Sequence, residues 1–331
     1  MQSQKLTAKI SEKQIGQRLD KVLVQLFPEY SRSCLKKWIL DKKVLLDSKV
    51  FDKPKTPIKN LATIIINVQT DYVNSFKAQK MDLNIIYEDN YILIINKPMN
   101  LVVHPGAGNL NQTLLNGLIY YYPQIANVPR AGIVHRLDKN TTGLMIVAKT
   151  PMIQEHLVES IKKRHIHRKY EAIVIGVIRS GGCINQSISR DPNKRTLMKI
   201  NSLTGRSAMT HYGVLECFKA HTHIFLQLET GRTHQIRVHM AYINHPIVGD
   251  TYYPGTKKLL HQLPSDFSPD LVYQLNTFNR QALHASQLGF YHPISGVYME
   301  YKAPLPQDML DLISVLREDN KSKPTKENLC A

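Results

Sequence analysis

Gly132-Ile133-Val134-His135-Arg136-Leu137-Asp138-Lys139-Asn140-Thr141-Thr142-Gly143-Leu144-Met145-Ile146-Val147-Ala148 places one carboxylate, Asp138, between Arg136 and Lys139. Gly143 then closes the turn ahead of an unbroken apolar strand. Positive charge nearby lowers a carboxyl pKa, so an acid set among cations is expected to stay ionised. An ionised carboxylate held on a loop is a usable nucleophile. Taken alone, an acid in an Asp-Lys-Asn turn more often just accepts hydrogen bonds from neighbouring amides. Its weight must come from the rest of the chain.

Outward from this run, period-two and apolar segments predict strands at Ile85–Tyr87, Tyr91–Ile95, Leu144–Ala148, Tyr170–Val177, His211–Phe218, His223–Glu229 and Leu283–Phe290. Helices are expected at Leu114–Tyr121, Pro151–Arg164 and Thr233–Tyr242, with Thr150 capping the second and Pro151 in its first position. Strands in succession with helices between some of them indicate an α+β fold around a large, mostly antiparallel mixed sheet flanked by helices.

Near the N-terminus, Leu19, Val22, Leu23 and Leu26 recur at helical spacing until Pro28. Ser31 stands at an N-cap position before a second helix with Leu35, Trp38 and Ile39 on one face. That helix also carries Arg32, Lys36 and Lys37; together with Arg18 they suit contact with phosphates better than a merely solvated face. A short hairpin of Val44–Leu46 and Ile64–Ile66 follows. The expected organisation is a small domain over residues 1–70, a linker over 71–82, a catalytic domain over 83–318 and a disordered tail over 319–331.

The balance of 43 basic against 26 acidic side chains gives a formal charge of +17, which points to a polyanionic partner, although taken alone it also fits an anionic membrane surface. No apolar run is long enough to span a bilayer and the first ten residues lack a signal-peptide apolar region, so a cytoplasmic protein is expected. Cys34, Cys183, Cys217 and Cys330 are scattered and read as reduced thiols. With no coiled-coil pattern, a monomer is expected.

Two further segments carry polar groups beside a strand end. In Glu229-Thr230-Gly231-Arg232-Thr233-His234-Gln235-Ile236-Arg237-Val238-His239, Gly231 is suited to an unusual backbone conformation ahead of a helix N-terminus that favours an anion, and Arg232 to a two-pronged contact with one. His234 and His239, five apart, do not share a helix face, so no metal site is expected. In Arg168-Lys169-Tyr170-Glu171-Ala172-Ile173-Val174, Tyr170 is either a half-buried strand aromatic or a ring that stacks on an extruded base. His104, between Val103 and Pro105, reads as structural.

Six segments together resemble the ribosomal large-subunit pseudouridine synthase family, in its synthase D-like branch. They are Asn96–Gly106, His135–Gly143, Lys169–Gly176, Thr230–His239, His245–Asp250 and Arg280–Ala285. The Arg18-Leu19-Asp20 and Tyr30-Ser31-Arg32-Ser33 segments are similar to the αL, or S-four-type, RNA-binding domain. That domain has Gly near position 42 and Asn-Gly near 47–48, where this chain has Lys42 and Asp47-Ser48.

The resemblance implies isomerisation of uridine to pseudouridine in RNA: the C1′–N1 bond breaks, the uracil turns over and a C1′–C5 bond forms. No cofactor is required, since the reaction has no net redox change. By the same resemblance Asp138 is the essential carboxylate; attack on the sugar, attack on the base and removal of a sugar proton all remain open. Arg232 is expected to pair with Asp138, Tyr170 to stack on the uracil and Ile236 to wall the pocket. Arg136 is expected to fill the gap left by the flipped nucleotide or to hold its phosphate. The expected partner is large-subunit ribosomal RNA. A synthase acting on transfer RNA or on both RNAs, and a non-catalytic ribosome-assembly factor, are the alternatives; an aspartate-dependent hydrolase would need a phosphate loop or metal cluster that the sequence lacks.

Overall fold

Leu19, Val22 and Leu23 are fully buried, as their helical spacing requires. In the computed structural model, which describes residues 3–27, 30, 32–69, 76–106, 108–253 and 266–322, they belong to the first of two units, Met1–Ala78 and Gln79–Ala331. The first unit consists of β1 (Ser3–Lys9), α1 (Leu19–Leu26), α2 (Arg32–Leu40), β2 (Val44–Leu46), β3 (Lys49–Phe51) and β4 (Thr63–Gln69). Its strands form an antiparallel sheet in the order β1-β4-β2-β3. Leu35, Trp38 and Ile39 of α2 join its core, and Tyr30 meets the Trp38 ring edge-on at 4.8 Å. Ser31, the expected cap, lies outside the described residues.

The expected hairpin takes a different form. The tight turn joins β2 to β3, while β4 pairs with β2 along its other edge. Asp47 and Ser48 make that turn with φ of 44° and 72°, and Lys42 has φ 58°. Two successive left-handed residues are the signature of a type I′ hairpin, which ordinarily carries Asn-Gly. The backbone thus keeps the conformation that suits glycine, with side chains in its place.

The second unit contains β5 (Ile85–Glu88), β6 (Ile92–Lys97), α3 (Leu114–Tyr121), β7 (Thr142–Ala148), α4 (Pro151–Lys162), β8 (His167–Ile175), β9 (Gly182–Asn185), β10 (Ile188–Arg190) and β11 (Met198–Ile200). It continues with β12 (Met209–Cys217), β13 (His221–Leu228), α5 (Gln235–Tyr242), α6 (Pro269–Thr277), β14 (Leu283–Tyr291), β15 (Tyr298–Lys302) and α7 (Gln307–Ser322). Nine of these strands form one sheet in the order β5-β6-β7-β14-β8-β13-β12-β9, with β15 added to β14. Every pairing in it is antiparallel except β7 with β14. The expected α+β class and the large, mostly antiparallel mixed sheet are both observed.

All seven residues of β7 are buried, because the strand has neighbours on both edges and packing on both faces. Gly143 lies inside β7 rather than in a turn before it. Its φ is 114°, and a Cβ there would stand 2.3 Å from the Ala285 carbonyl oxygen. The parallel seam therefore closes only around a glycine. Thr150 caps α4 as expected, accepting from the Ile153 amide at 3.3 Å, with Pro151 in the first helical position.

Residues 319–322 of the expected tail are helical: α7 continues to Ser322, held by Met309, Leu312, Ile313 and Leu316 in the core, while residues 323–331 lie outside the described residues. Asp319 is buried and accepts from the Ser268 amide at 2.6 Å.

Candidate active site

A cleft of about 570 Å³ in the second unit is lined by Arg136, Asp138, Tyr170, Arg232, Ile236 and Arg237, among others. The loop before β7, the strand β8 and the start of α5 therefore converge on one place. The C-terminal segment fixes the loop. Arg280 donates to the Asn140 carbonyl at 3.3 Å, Gln281 to Thr141 Oγ1 at 2.9 Å, and Thr142 Oγ1 meets His284 Nδ1 at 2.8 Å. Asp308 holds Arg280 from below through two hydrogen bonds, at 2.5 and 2.7 Å.

The guanidinium on Asp138 belongs to Arg237. Its Nη1 donates to Asp138 Oδ2 at 3.0 Å, while Nε and Nη2 fork onto Asp250 at 2.6 and 2.8 Å. Tyr252 and Tyr253 place their rings 5.3 and 5.2 Å from the guanidinium carbon. Burial works against the Arg237 charge, but the two carboxylates overcome it and raise its pKa. Asp250 therefore orients Arg237, and Arg237 orients Asp138.

Arg232 does not make this pair. It precedes α5, and its Nε donates to the Ser207 carbonyl at 3.0 Å. The helix starts at Gln235, not Thr233, because His234 has φ 55° and cannot extend it. That left-handed residue also takes the role expected of Gly231, which has no positive φ. Gln235 clamps the turn: its Oε1 accepts from Thr230 Oγ1 and the Arg232 amide, and its Nε2 donates to the Met209 carbonyl.

His234 approaches Asp138 from the other side, with Nε2 3.9 Å from Oδ1. The Met198 amide donates to Tyr253 Oη at 2.8 Å, and that hydroxyl lies 2.8 Å from His234 Nδ1. The Tyr253 hydroxyl thus links the Met198 amide to the His234 ring and fixes the imidazole with Nε2 towards Asp138. Burial, the largest influence, lowers the His234 pKa despite the neighbouring Asp138.

Lys97, buried at the end of β6, ties down the loop that carries Asp138. Its Nζ donates to the carbonyls of Pro98, Leu101 and Lys139 at 2.7, 3.0 and 3.0 Å. Burial pushes its pKa down to about 7, with Asp138 opposing and Arg280 adding to the effect. The half-buried His135 is held near 3 by burial and by the Arg168 charge, so it is neutral. Its Nε2 accepts from the Ile146 amide at 3.1 Å.

Tyr170 is buried in β8, opposite Leu226 of β13. Burial chiefly raises its phenol pKa; the Arg168 charge opposes and Asp138 adds. Ile236 is buried at the cleft wall and Arg136 is exposed at its edge. In the first unit, Arg18 and Arg32 both donate to Asp20, at 2.9 Å each, while Lys36 and Lys37 are exposed on α2. Among the described residues, no group of three or more His, Cys, Asp or Glu side chains is placed to hold a metal, and no helix is long and apolar enough to cross a membrane.

Comparison with known proteins gives this arrangement a family. Residues 91–242 match RNA pseudouridylate synthase and residues 17–60 match the S4 domain. The chain is 54% identical over 314 residues to ribosomal large subunit pseudouridine synthase D of Escherichia coli (strain K12), covering 95% of each. It is 51% identical over 320 residues to the protein of the same name from Yersinia pestis, covering 97% of each. Among solved structures, human RNA pseudouridylate synthase domain containing 4 superimposes with a TM-score of 0.54 at 25% identity, over 71% of this chain and 93% of that one. With Asp138, Tyr170 and Arg237 gathered in one cleft and relatives this close along nearly the whole chain, this protein belongs to the RNA pseudouridine synthase family of isomerases.

Proposed function

We propose that this protein converts uridine to pseudouridine in large-subunit ribosomal RNA, with Asp138 as the catalytic carboxylate. The observation that carries the assignment of Asp138 is its pairing with the doubly held Arg237 in a cleft that Tyr170 also lines. The choice of RNA rests on the names of the relatives.

The target uridine turns out of its helix into the cleft, at a cost of a few kcal/mol that contacts in the cleft must offset. Tyr170 stacks on the uracil and Ile236 walls the pocket. With its pKa raised by burial, the Tyr170 phenol keeps its proton at neutral pH and acts as a surface and a donor, not as a standing base. Arg136 at the rim fills the gap in the helix or holds the displaced phosphate, and Arg232 stands beside the incoming strand. Asp138 assists cleavage of C1′–N1; C1′–C5 then forms, C5 gives up its proton and N1 ends protonated, so atoms and charge balance without a cofactor.

The N-terminal domain, residues 1–70, holds the surrounding RNA through Arg18, Arg32, Lys36 and Lys37. The Asp20 carboxylate draws Arg18 and Arg32 together, so that two cations are presented as a pair. The protein acts in the cytoplasm, as a monomer, without a membrane.

Asp138→Asn tests the assignment. Tritium release from RNA labelled at C5 of uridine should fall to background while RNA binding stays near wild type; appreciable residual release would remove Asp138 from the chemistry. Mapping pseudouridine in ribosomal and transfer RNA from cells with and without the protein tests the substrate. Sites lost only from transfer RNA would replace the ribosomal reading.

A further inference from the structure

We infer that Arg168 forms a phosphate site inside the cleft, taken by a backbone phosphodiester beside the target uridine. The inference rests on RNA entering this cleft.

Arg168 is only 6% exposed, and its Nε is enclosed with no hydrogen-bond partner. Among the described residues it makes no ion pair. The other two enclosed guanidiniums of the unit are matched: Arg237 by Asp250 and Asp138, Arg280 by Asp308. A buried cation without a counter-charge costs several kcal/mol, so the unmatched one calls for an anion from outside.

The cleft offers Arg168 no spare carboxylate. Of the two acids that line it, Asp138 is held by Arg237, and Glu229 is taken by Arg164 and by His211. The side chain also points the right way. Arg168 and Tyr170 stand two apart on β8, both buried, hence on one face of the strand, and both line the cleft. A phosphate on Arg168 would therefore lie beside the base stacked on Tyr170.

Gly231 supplies a second, independent observation. Its backbone does not need a glycine, yet a Cβ at this position would stand 2.9 Å from Arg168 Nη1. The guanidinium thus occupies the space that a side chain at this position of the loop before α5 would share with it. An arginine held in this way presents its planar fork in one orientation, which suits two phosphate oxygens better than a diffuse cationic surface does.

The test uses the full chain and a short stem-loop RNA of large-subunit ribosomal sequence that the wild-type protein binds, with methylphosphonates replacing the phosphates one at a time. One position at or next to the target should weaken wild-type binding about 10- to 100-fold, the range of a charge-assisted hydrogen bond. That penalty should disappear in Arg168→Met, whose salt slope should fall by about 0.7–0.9, one phosphate contact. Arg168→Lys should keep the slope while losing affinity. Gly231→Ala retains every charge and should weaken binding through the same phosphate.

A scan in which no single phosphate stands out in the wild type overturns the inference, even if the variants fold poorly. So does a sensitive phosphate whose penalty survives unchanged in folded Arg168→Met. Pseudouridine formation by the wild type is read separately: its absence would sink the proposed function and leave the phosphate result to stand or fall by itself.

Discussion

Arg237 reaches Asp138 Oδ2 with Nη1, the one guanidinium nitrogen that Asp250 leaves free. Arg237→Lys should therefore fail although it conserves charge. An ammonium is a point donor and cannot fork onto Asp250 while also reaching Asp138. Breaking one member of a buried ionic group costs about 3–5 kcal/mol. If that loss falls on the transition state, kcat drops roughly 100- to 5,000-fold. Asp250→Asn should act through the same group, so the double variant should lose much less than the product of the two single losses. Independent, multiplying losses in single-turnover kinetics would show that Asp250 does not work through Arg237.

Gly143→Ala should damage the fold without touching the cleft. A left-handed φ and a 2.3 Å approach to the Ala285 carbonyl leave no room for a methyl group. Backbone strain and overpacking together predict a loss of about 3–6 kcal/mol. Thermal unfolding of the purified variant checks it; a midpoint within a degree or two of wild type would contradict the close approach.

Lys97 predicts a pH dependence. Its folded pKa, about 7, lies below the ordinary lysine value of 10.5. Between pH 7 and 10.5 the unfolded chain binds the proton and the native one does not, so this group makes stability rise with pH. The slope is up to about 1.4 kcal/mol per pH unit. Lys97→Met lacks the titration and also strands three carbonyls. Its deficit relative to wild type should be present at pH 7 and widen towards pH 9. A deficit that is flat across urea titrations in that range would place the lysine pKa near its ordinary value.

Ser48→Gly should stabilise the first unit. Ser48 holds φ 72° in the β2–β3 turn, where glycine bears no steric penalty; relief of about 1–2 kcal/mol, less about 0.4–1 kcal/mol for glycine's greater freedom in the unfolded chain, leaves a net gain of about 1 kcal/mol. Trp38, the chain's single tryptophan, lies in the core of that unit. Its fluorescence during urea unfolding of the full chain reports on this unit, and the midpoint should move upward. A lower midpoint would mean that the serine side chain contributes more to the turn than its backbone conformation costs.

What could be read beforehand followed length and regularity. β7 announced itself because it is apolar on both faces, and α4 because Thr150-Pro151 is a complete start signal. β9, β10 and β11 are three or four residues long and show no period to read. The α7 stripe of Met309, Leu312, Ile313 and Leu316 has helical spacing and was open to the same reasoning that located α1.

At the site, the segments were readable and the pairing within them was not. Thr230–His239 contains two arginines, and choosing between them depends on where the helix begins. That start is set by a left-handed His234, a residue with no propensity signal for it. Asp250, the acid that makes Arg237 a fork rather than a loose cation, lies 13 residues further on and meets it only through the fold. The same holds for Gly231, which lies against a guanidinium from a strand more than 60 residues earlier in the chain.

The order β7-β14-β8 carries a consequence for synthesis on the ribosome. Asp138 leads into β7 and Tyr170 lies on β8, but the strand between them, β14, begins only at Leu283. A nascent chain has translated every residue proposed for the chemistry well before it can hold them at their working spacing, since the seam at Gly143 and Ala285 cannot close until β14 has emerged. Catalytic competence therefore arrives late, once the stretch from Leu283 onward has emerged. An incomplete copy, still attached to the translating ribosome, has no formed cleft with which to modify RNA.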